Sequence, residues 1–391
     1  MRKAFVTLCP TDNPPFLPEG INTILCDAPI YEHAYKKIET AVKVLGIDCE
    51  VVRASGCDIP GTISEITAAH EDIVIFASPY IFLAKNADVE GAINYITKTD
   101  LGYSTVGTER SLYMTVGISK MISKTAVGTP TEFLTAITDG GAMCPHANFA
   151  ENEAALPKSR LDYHRKAEEY RLEYIEQLIR LGVNIEATDG IVISPYAKIE
   201  AGTKIDTGCH ILGETVIGAG SVIGPNAIIK SSTVGEGCYI GSSRIEDSTI
   251  EKNVRIEDHC IIKERCHIIS DCKIFSFCEI VTTRLLNGCV VSSHSHLWDT
   301  SVGSRCVIGS GVTTINYETN RKQSRCTIGD DVIIGCGSNL VLPIDIGSGA
   351  FVAAGSTITD DVPVGALGIA RQYQTNRNGW AMKRKNHGKH I

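Results

Sequence analysis

ISPYAKIEAGTKIDTGCHILGETVIGAGSVIGPNAII, residues 193–229, returns an isoleucine at every sixth position: Ile193, Ile199, Ile205, Ile211, Ile217, Ile223 and Ile229. Neither a helix nor an isolated strand has that period. Two residues before most of these comes a small residue, as at Ala197, Thr203, Cys209, Thr215, Ser221 and Ala227. One aliphatic and one small inward position in each six residues is the pattern of a hexapeptide β-solenoid, in which three short strands make one triangular coil. The period continues through Ile250, Ile256, Ile262, Ile268, Ile274 and Ile280, then Val291, Leu297, Val302 and Ile308. It slips by one residue near Val234 and Ile245, as a turn of altered length would make it do. A polar stretch, Thr313 to Ser324, interrupts it before it resumes at Ile328, Ile334, Leu340, Ile346, Val352 and Ile358. Such an insertion must project from a corner of the prism, and loops on rigid scaffolds are where binding residues concentrate.

The fifteen cysteines are read through the same phase. Cys260, Cys266, Cys272 and Cys278 stand two places before Ile262, Ile268, Ile274 and Ile280, and Cys209, Cys238, Cys289, Cys306 and Cys326 occupy the equivalent position elsewhere. They are expected to be reduced thiols packed as small hydrophobes. No pair of Cys-x-x-Cys motifs or histidine partner suggests a metal site. The chain has 391 residues and a formal charge of -8, giving no reason to expect nucleic acid or an anionic membrane as partner. No apolar run approaches a membrane span, and the start lacks the layout of a signal peptide, so a cytoplasmic protein is expected. A short basic tail, with Lys383, Arg384, Lys385 and Lys389, is the exception to the acidic balance.

Ahead of the solenoid, residues 1–150 read as an α/β domain of Rossmann-like type with a parallel, three-layer sheet. Strands are expected at Lys3 to Cys9, Cys49 to Val52 and Asp72 to Ala77. Helices are expected after Pro29, with Ala34, Ile38, Ala41, Val42 and Leu45 on one face, and at 63–70, 89–97 and 130–137. Such domains bind nucleotide phosphates through glycine-rich backbone and a base after the first strand. Here that position reads Cys9-Pro10-Thr11-Asp12-Asn13-Pro14-Pro15, where prolines supply no N–H donor. Residues 151–182 form a connecting arm, one helix from Ala154 to Leu181 with Pro157 near its start, the stripe Leu161, Leu172, Ile175, Leu178 and Ile179, and Gly182 as its C-terminal stop. The solenoid takes residues 183–370, and 371–391 form a tail.

Histidine is the natural general base near neutral pH, and the solenoid holds Ser292-Ser293-His294-Ser295-His296-Leu297. With Val291 and Leu297 inward, Ser295 takes the small inward position while Ser293, His294 and His296 project outward. His294 and His296 are the candidate catalytic residues, with the choice of base between them open.

Residues 311–380, from Gly-Val-Thr-Thr-Ile-Asn316-Tyr317 through Thr327-Ile-Gly-Asp-Asp-Val332, Ala353-Ala-Gly-Ser-Thr357 and Gln374-Thr375 to Gly379-Trp380, resemble the end of the bacterial bifunctional enzyme family that acetylates glucosamine-1-phosphate and then uridylates it. The match extends weakly into the arm and the N-terminal domain. The resemblance implies a left-handed parallel β-helix, a homotrimer, a soluble role in nucleotide-sugar and cell-wall biosynthesis, and acetyl-CoA as donor; it leaves the use of Mg²⁺ open. The family's acetyl-CoA contacts fall on Ser310, Asn316, Tyr317, Cys336, Ala354 and Arg371. On the acceptor side Ser293 falls where the family has its catalytic His, and His296 where it has a substrate-binding Tyr. Lys263 and Lys322 match basic contacts to the sugar phosphate, whereas Val281 replaces a third and Val307 replaces an Asn. A different amino sugar or amine is therefore admissible as acceptor, each charged hydrogen bond lost being worth about 1.5–3 kcal/mol. The proline-rich segment, and Ser78-Pro79-Tyr80 where a metal-binding Asp is expected, imply that uridylyl transfer is lost. The expected activity is acetyl-CoA-dependent N-acetyl transfer to an amino sugar phosphate, glucosamine-1-phosphate or a related amine; the alternative is a non-catalytic relative that binds a nucleotide sugar or CoA and acts as a scaffold or regulator.

Overall fold

The computed structural model describes residues 3–8, 24–51, 73–77, 89–91, 94, 103–106, 113–117, 157, 159–316 and 325–382. The chain divides into two compact units, one of Met1–Lys198 with His210–Glu214 and one of Ile199–Cys209 with Thr215–Ile391.

In the first unit a five-stranded sheet sets Lys3–Leu8 parallel to Asp48–Val51 on one side and to Ile73–Ala77 on the other. Tyr113–Gly117 then runs antiparallel to Ile73–Ala77, and Tyr103–Val106 antiparallel to Tyr113–Gly117 at the edge. The sheet is therefore mixed, not wholly parallel as expected. The last two strands are separated only by residues 107–112, and a parallel connection needs a dozen residues or more. The segment Cys9 to Pro15, Ser78 to Tyr80 and the expected helices at 63–70 and 130–137 lie outside the described residues. Of 89–97, residues 89–91 and 94 are helical.

Helix α1 (Ile30–Val44) opens after Pro29, whose φ of -60° suits a helix start, and buries Ile30, Ala34, Ile38, Ala41 and Val42. Helix α2 (Arg160–Arg180) begins six residues later than expected, because the Ser159 hydroxyl caps it by accepting the Asp162 N–H at 3.1 Å. Gly182, at φ 94°, ends it as read, with its N–H on the Ile179 carbonyl at 2.9 Å. Of the predicted stripe, Ile175 and Leu178 are buried, joined by Tyr163 and Ala167, while Leu161 and Ile179 are exposed. The two helices meet at buried His33, whose Nδ1 lies 3.2 Å from the Tyr170 hydroxyl. No helix among the described residues is long and apolar enough to cross a membrane.

The second unit is a left-handed parallel β-helix with three parallel sheets of two- and three-residue strands. The first sheet stacks Val222–Ile223, Tyr239–Ile240, Arg255–Ile256, Lys273–Ile274, Val290–Val291, Val307–Ile308, Ile333–Ile334, Phe351–Val352 and Leu367–Gly368. The second includes Arg244–Glu246, Ile261–Lys263, Glu279–Val281, His296–Trp298, Thr313–Ile315, Asn339–Val341 and Thr357–Ile358. The third includes Thr249–Ile250, His267–Ile268, Arg284–Leu285, Thr300–Val302, Cys326–Ile328 and Ile344–Ile346. An aliphatic residue of most strands faces in: Ile223, Ile240, Ile256, Ile262, Ile268 and Ile280 are wholly buried. The slips are real changes of coil length, for Ile223 pairs with Ile240 and Ile240 with Ile256 before Ile256 pairs with Ile274. The insertion leaves after Thr313–Ile315, and residues 317–324 within it lie outside the described residues.

Cys209, Cys238, Cys260, Cys266, Cys272, Cys278, Cys289, Cys306 and Cys326 are all free and buried, as their phase predicts. They also do something a methyl group could not. Sγ of Cys238, Cys289 and Cys306 points to the carbonyls of Glu251, Gly303 and Gly329 in the next coil at 2.9, 2.9 and 3.0 Å. Ser221 and Ser295 make the same bond to Gly235 and Gly309 at 2.8 and 3.0 Å. The small inward position thus satisfies a buried carbonyl while filling the core. Burial pushes the Cys209 thiol up to about 11 and Cys326 up to about 12, whereas hydrogen bonds from Cys278 and Cys289 lower Cys260 and Cys272.

Candidate functional site

The candidate residues that are described all belong to the second unit, and they sort onto two places in the prism. The first is the corner between the first and second sheets. Backbone hydrogen bonds between coils fix the register there: Gly311 N–H to the Ser293 carbonyl at 3.1 Å, Gly337 to Ser310 at 2.8 Å, and Gly355 to Cys336 at 2.9 Å. Ser293, Ser310, Cys336 and Ala354 consequently form one column on four successive coils. The last three are exposed, and Ser293 is half-buried. Arg371, beyond the last coil, joins them by donating from Nη1 to the Ala354 carbonyl at 3.0 Å. The column has a side-chain-free floor, because Gly309 and Gly335 sit just before Ser310 and Cys336. A Cβ on Gly309 would lie 2.6 Å from the Cys336 nitrogen.

His294 occupies this corner too, at φ 62°. Its ring lies flat on Phe277, with centroids 5.1 Å apart and planes 2° apart. No carboxylate is paired with it among the described residues.

The second place is the outer face of the second sheet. His296 is the first residue of His296–Trp298, in register with Glu279 on the coil below. Nδ1 of His296 lies 3.6 Å from Glu279 Oε2, and the other carboxylate oxygen is 3.4 Å from Lys263 Nζ. The three side chains are 49%, 26% and 35% exposed, so Glu279 stands between an ammonium and an imidazole on a wet, partly screened surface. Ser295, between the two histidines, is wholly buried, as its phase requires. Val281 is only 3% exposed, so it presents no surface where the resemblance sets a base. Val307 lies on the outer face of the first sheet, away from Lys263 and His296.

Asn316 is not brought to the histidines. His294 precedes the second-sheet strand of its coil, whereas Asn316 follows Thr313–Ile315, which pairs with that strand. The two therefore stand at opposite ends of the face, about 3.3 Å per residue of strand apart. Tyr317 and Lys322 lie outside the described residues. Glu279 escaped the sequence reading, although it is the group best placed to orient an imidazole.

Comparison with known proteins bears out the resemblance over the C-terminal region. Residues 196–231 match the model of the bacterial transferase hexapeptide (six repeats). The bifunctional protein GlmU of Thermoanaerobacter pseudethanolicus is 46% identical over 102 residues, which are 26% of this chain and 22% of that protein. Bifunctional protein GlmU of Listeria welshimeri is 49% identical over 94 residues, 24% of this chain and 20% of that one. The chain thus spans about a fifth of the length of these curated relatives. Among solved structures, LpxA of Acinetobacter baumannii gives a TM-score of 0.36 at 20% identity, over 51% of this chain and 77% of that one.

Proposed function

We propose that this chain transfers the acetyl group of acetyl-CoA to the amine of an amino sugar or a related amine, with His296 as the general base. The contact between His296 Nδ1 and Glu279, 3.6 Å, is the observation that carries the reading. A carboxylate beside Nδ1 electrostatically favours the proton on that nitrogen, which leaves the lone pair on Nε2. His294, stacked on Phe277 without such a partner, lacks that arrangement.

In the reaction the amine attacks the thioester carbonyl carbon and gives its proton to His296 Nε2. A C–N bond forms, the tetrahedral oxyanion is met by backbone N–H groups, and the C–S bond breaks. The imidazolium returns its proton to the departing thiolate, so that CoA leaves as a thiol. The donor's pantetheine arm is assigned to the column Ser310, Cys336 and Ala354, whose small side chains admit close approach to the backbone, with Arg371 available to a CoA phosphate. Lys263 supplies a cation for an anionic acceptor. Buried Val281, where the resemblance sets a base, favours an acceptor with fewer charged groups than glucosamine-1-phosphate.

The assembly in this reading is a homotrimer working in the cytoplasm. On the outer face of the first sheet Val307, Ile333, Phe351 and Leu367 are in register on successive coils and 38%, 42%, 43% and 58% exposed. A continuous apolar row of that kind supports association. Free thiols support a reducing compartment. Light scattering is expected to give the mass of three chains, and the mass of one chain would dismiss the trimer.

Activity is tested by incubating the full chain with acetyl-CoA and a panel of amino sugars, with and without a 1-phosphate, and following free CoA thiol. Release that depends on an amino sugar is expected, with no release of pyrophosphate from UTP and sugar phosphate. Absence of CoA release with every amine would overturn the acyltransferase reading.

A further inference from the structure

His259, Phe277 and His294 occupy the same corner of three successive coils, at φ values of 59°, 63° and 62°. Their rings stack. His259 and Phe277 have centroids 5.0 Å apart at 27°, and Phe277 and His294 have centroids 5.1 Å apart at 2°. All three are exposed, Phe277 at 51%.

The stack advances one ring per coil and then stops, because the next corner residues are Gly311, Gly337 and Gly355, with φ of 70°, 68° and 71°. The face of His294 remote from Phe277 therefore looks over a residue with no side chain. A Cβ built on Gly311 would meet nothing closer than the Gly337 backbone at 3.9 Å, so the space is open. Among the described residues Phe277 is the only ring in contact with His294. Exposed Ser310 and Cys336 stand beside this space, offering a hydroxyl and a thiol to the edge of whatever lies in it.

We propose that the open face of His294 is a binding position for a nucleobase, which continues the stack by one coil above Gly311. A flat π-face backed by a second aromatic ring discriminates for planar aromatic ligands, since neither a sugar nor a phosphate gains from it what a base does. The inference rests on the acyl-transfer reading only for the two sources of such a ring. One is the base of an acceptor carried as a nucleotide-linked sugar, which a donor whose phosphates lie at Arg371, three coils away, leaves room for; the other is the adenine of a donor lying in the reverse direction along the column.

The test is a titration of the full-length chain, carrying ¹³C-labelled histidine, with UMP, adenosine 3′,5′-bisphosphate or ribose 5-phosphate. The His294 imidazole resonances are assigned from the His294→Gln spectrum. Upfield ring-current shifts of these resonances are expected with a nucleotide and not with ribose 5-phosphate. A response to UMP assigns the ring to the acceptor, and a response to the adenine nucleotide assigns it to the donor. Gly311→His, which the same corner accommodates at His259 and His294, extends the stack with its own ring and is expected to weaken nucleotide binding about tenfold or more. No shift with either nucleotide, or an equal shift with ribose 5-phosphate, overturns the proposal, as does unchanged binding by Gly311→His. Because binding is read at one imidazole, a failure here leaves proton transfer by His296 untouched. Equally, absent acyl transfer beside intact ring-current shifts would remove the enzymatic reading alone.

Discussion

His296→Ala is expected to lower kcat for acetyl transfer by about 10²–10⁴-fold, the usual contribution of a positioned general base, with little change in stability. Stability is spared because the side chain is 49% exposed and its ionic contact among the described residues is with Glu279; exposed pairs of this kind are worth at most about 1 kcal/mol. Glu279→Gln is the informative companion. It preserves shape and a polar contact but removes the charge that favours the Nδ1 proton, so part of the loss is expected in kcat while KM for acetyl-CoA and for an acceptor without an anionic group, which does not call on Lys263, stays near its original value. A Glu279 that merely shaped the acceptor pocket would instead change KM. His294→Ala should move KM for the co-substrate that carries the planar ring, because His294 offers a face and not a base. Steady-state kinetics of the three variants separates these roles. Full kcat in His296→Ala would end the assignment of the base.

What the sequence discloses and what it hides follows from how the prism is built. An interior only one aliphatic side chain deep admits little besides Ile, Val or Leu at one position and a small residue two before it. Ile193 to Ile229 therefore announces the architecture, and Cys260 to Cys278 can be assigned to the core by phase alone. The same phase turns Ser295 inward and its neighbours outward. It does not say which side chains share a column, because coil length varies. A strict repeat of eighteen would set His296 opposite Cys278, an inward residue. The corner between Ile280 and Leu285 is one residue short, with Thr282 at φ 49°, and this brings Glu279 into register instead. Nor does phase tell from which corner a loop departs, and a strand, Thr313–Ile315, separates the corner that holds His294 from Asn316. In the N-terminal sheet the apolar runs located the first three strands to within one residue. The direction of the last two depended on the length of the link between Val106 and Tyr113, a feature that hydrophobic pattern does not carry.

Gly335→Ala is expected to destabilise the last coils by about 3 kcal/mol, the upper part of the range for overpacking, although alanine is an ordinary residue for most strand corners. The added Cβ would lie 2.5 Å from the Ala354 nitrogen and 2.7 Å from its Cα. Both are backbone atoms, which cannot swing aside as a side chain can. The coils would have to part, against the bonds from Gly335 N–H to the Val352 carbonyl at 2.9 Å and from Ile333 N–H to the Ala350 carbonyl at 3.1 Å. Gly337, two residues on, isolates a different cause. It has φ 68° and open space about its Cα, so Gly337→Ala costs only the left-handed backbone, about 1–2 kcal/mol. Gly337→Asn should recover part of that, since asparagine takes this conformation at Asn253, φ 58°. Gly335→Asn should recover nothing. In a solenoid each coil leans on its neighbours alone, so hydrogen exchange is the fitting measurement: protection should fall for amides of residues 333–358 and persist for those near Ile256. Uniform protection in Gly335→Ala would show that the coils can separate without loss. Widening that gap also shifts Cys336 against Ala354, so the donor's KM should rise in Gly335→Ala even where the protein remains folded, because the column assigned to the pantetheine arm is straight only while these two coils touch.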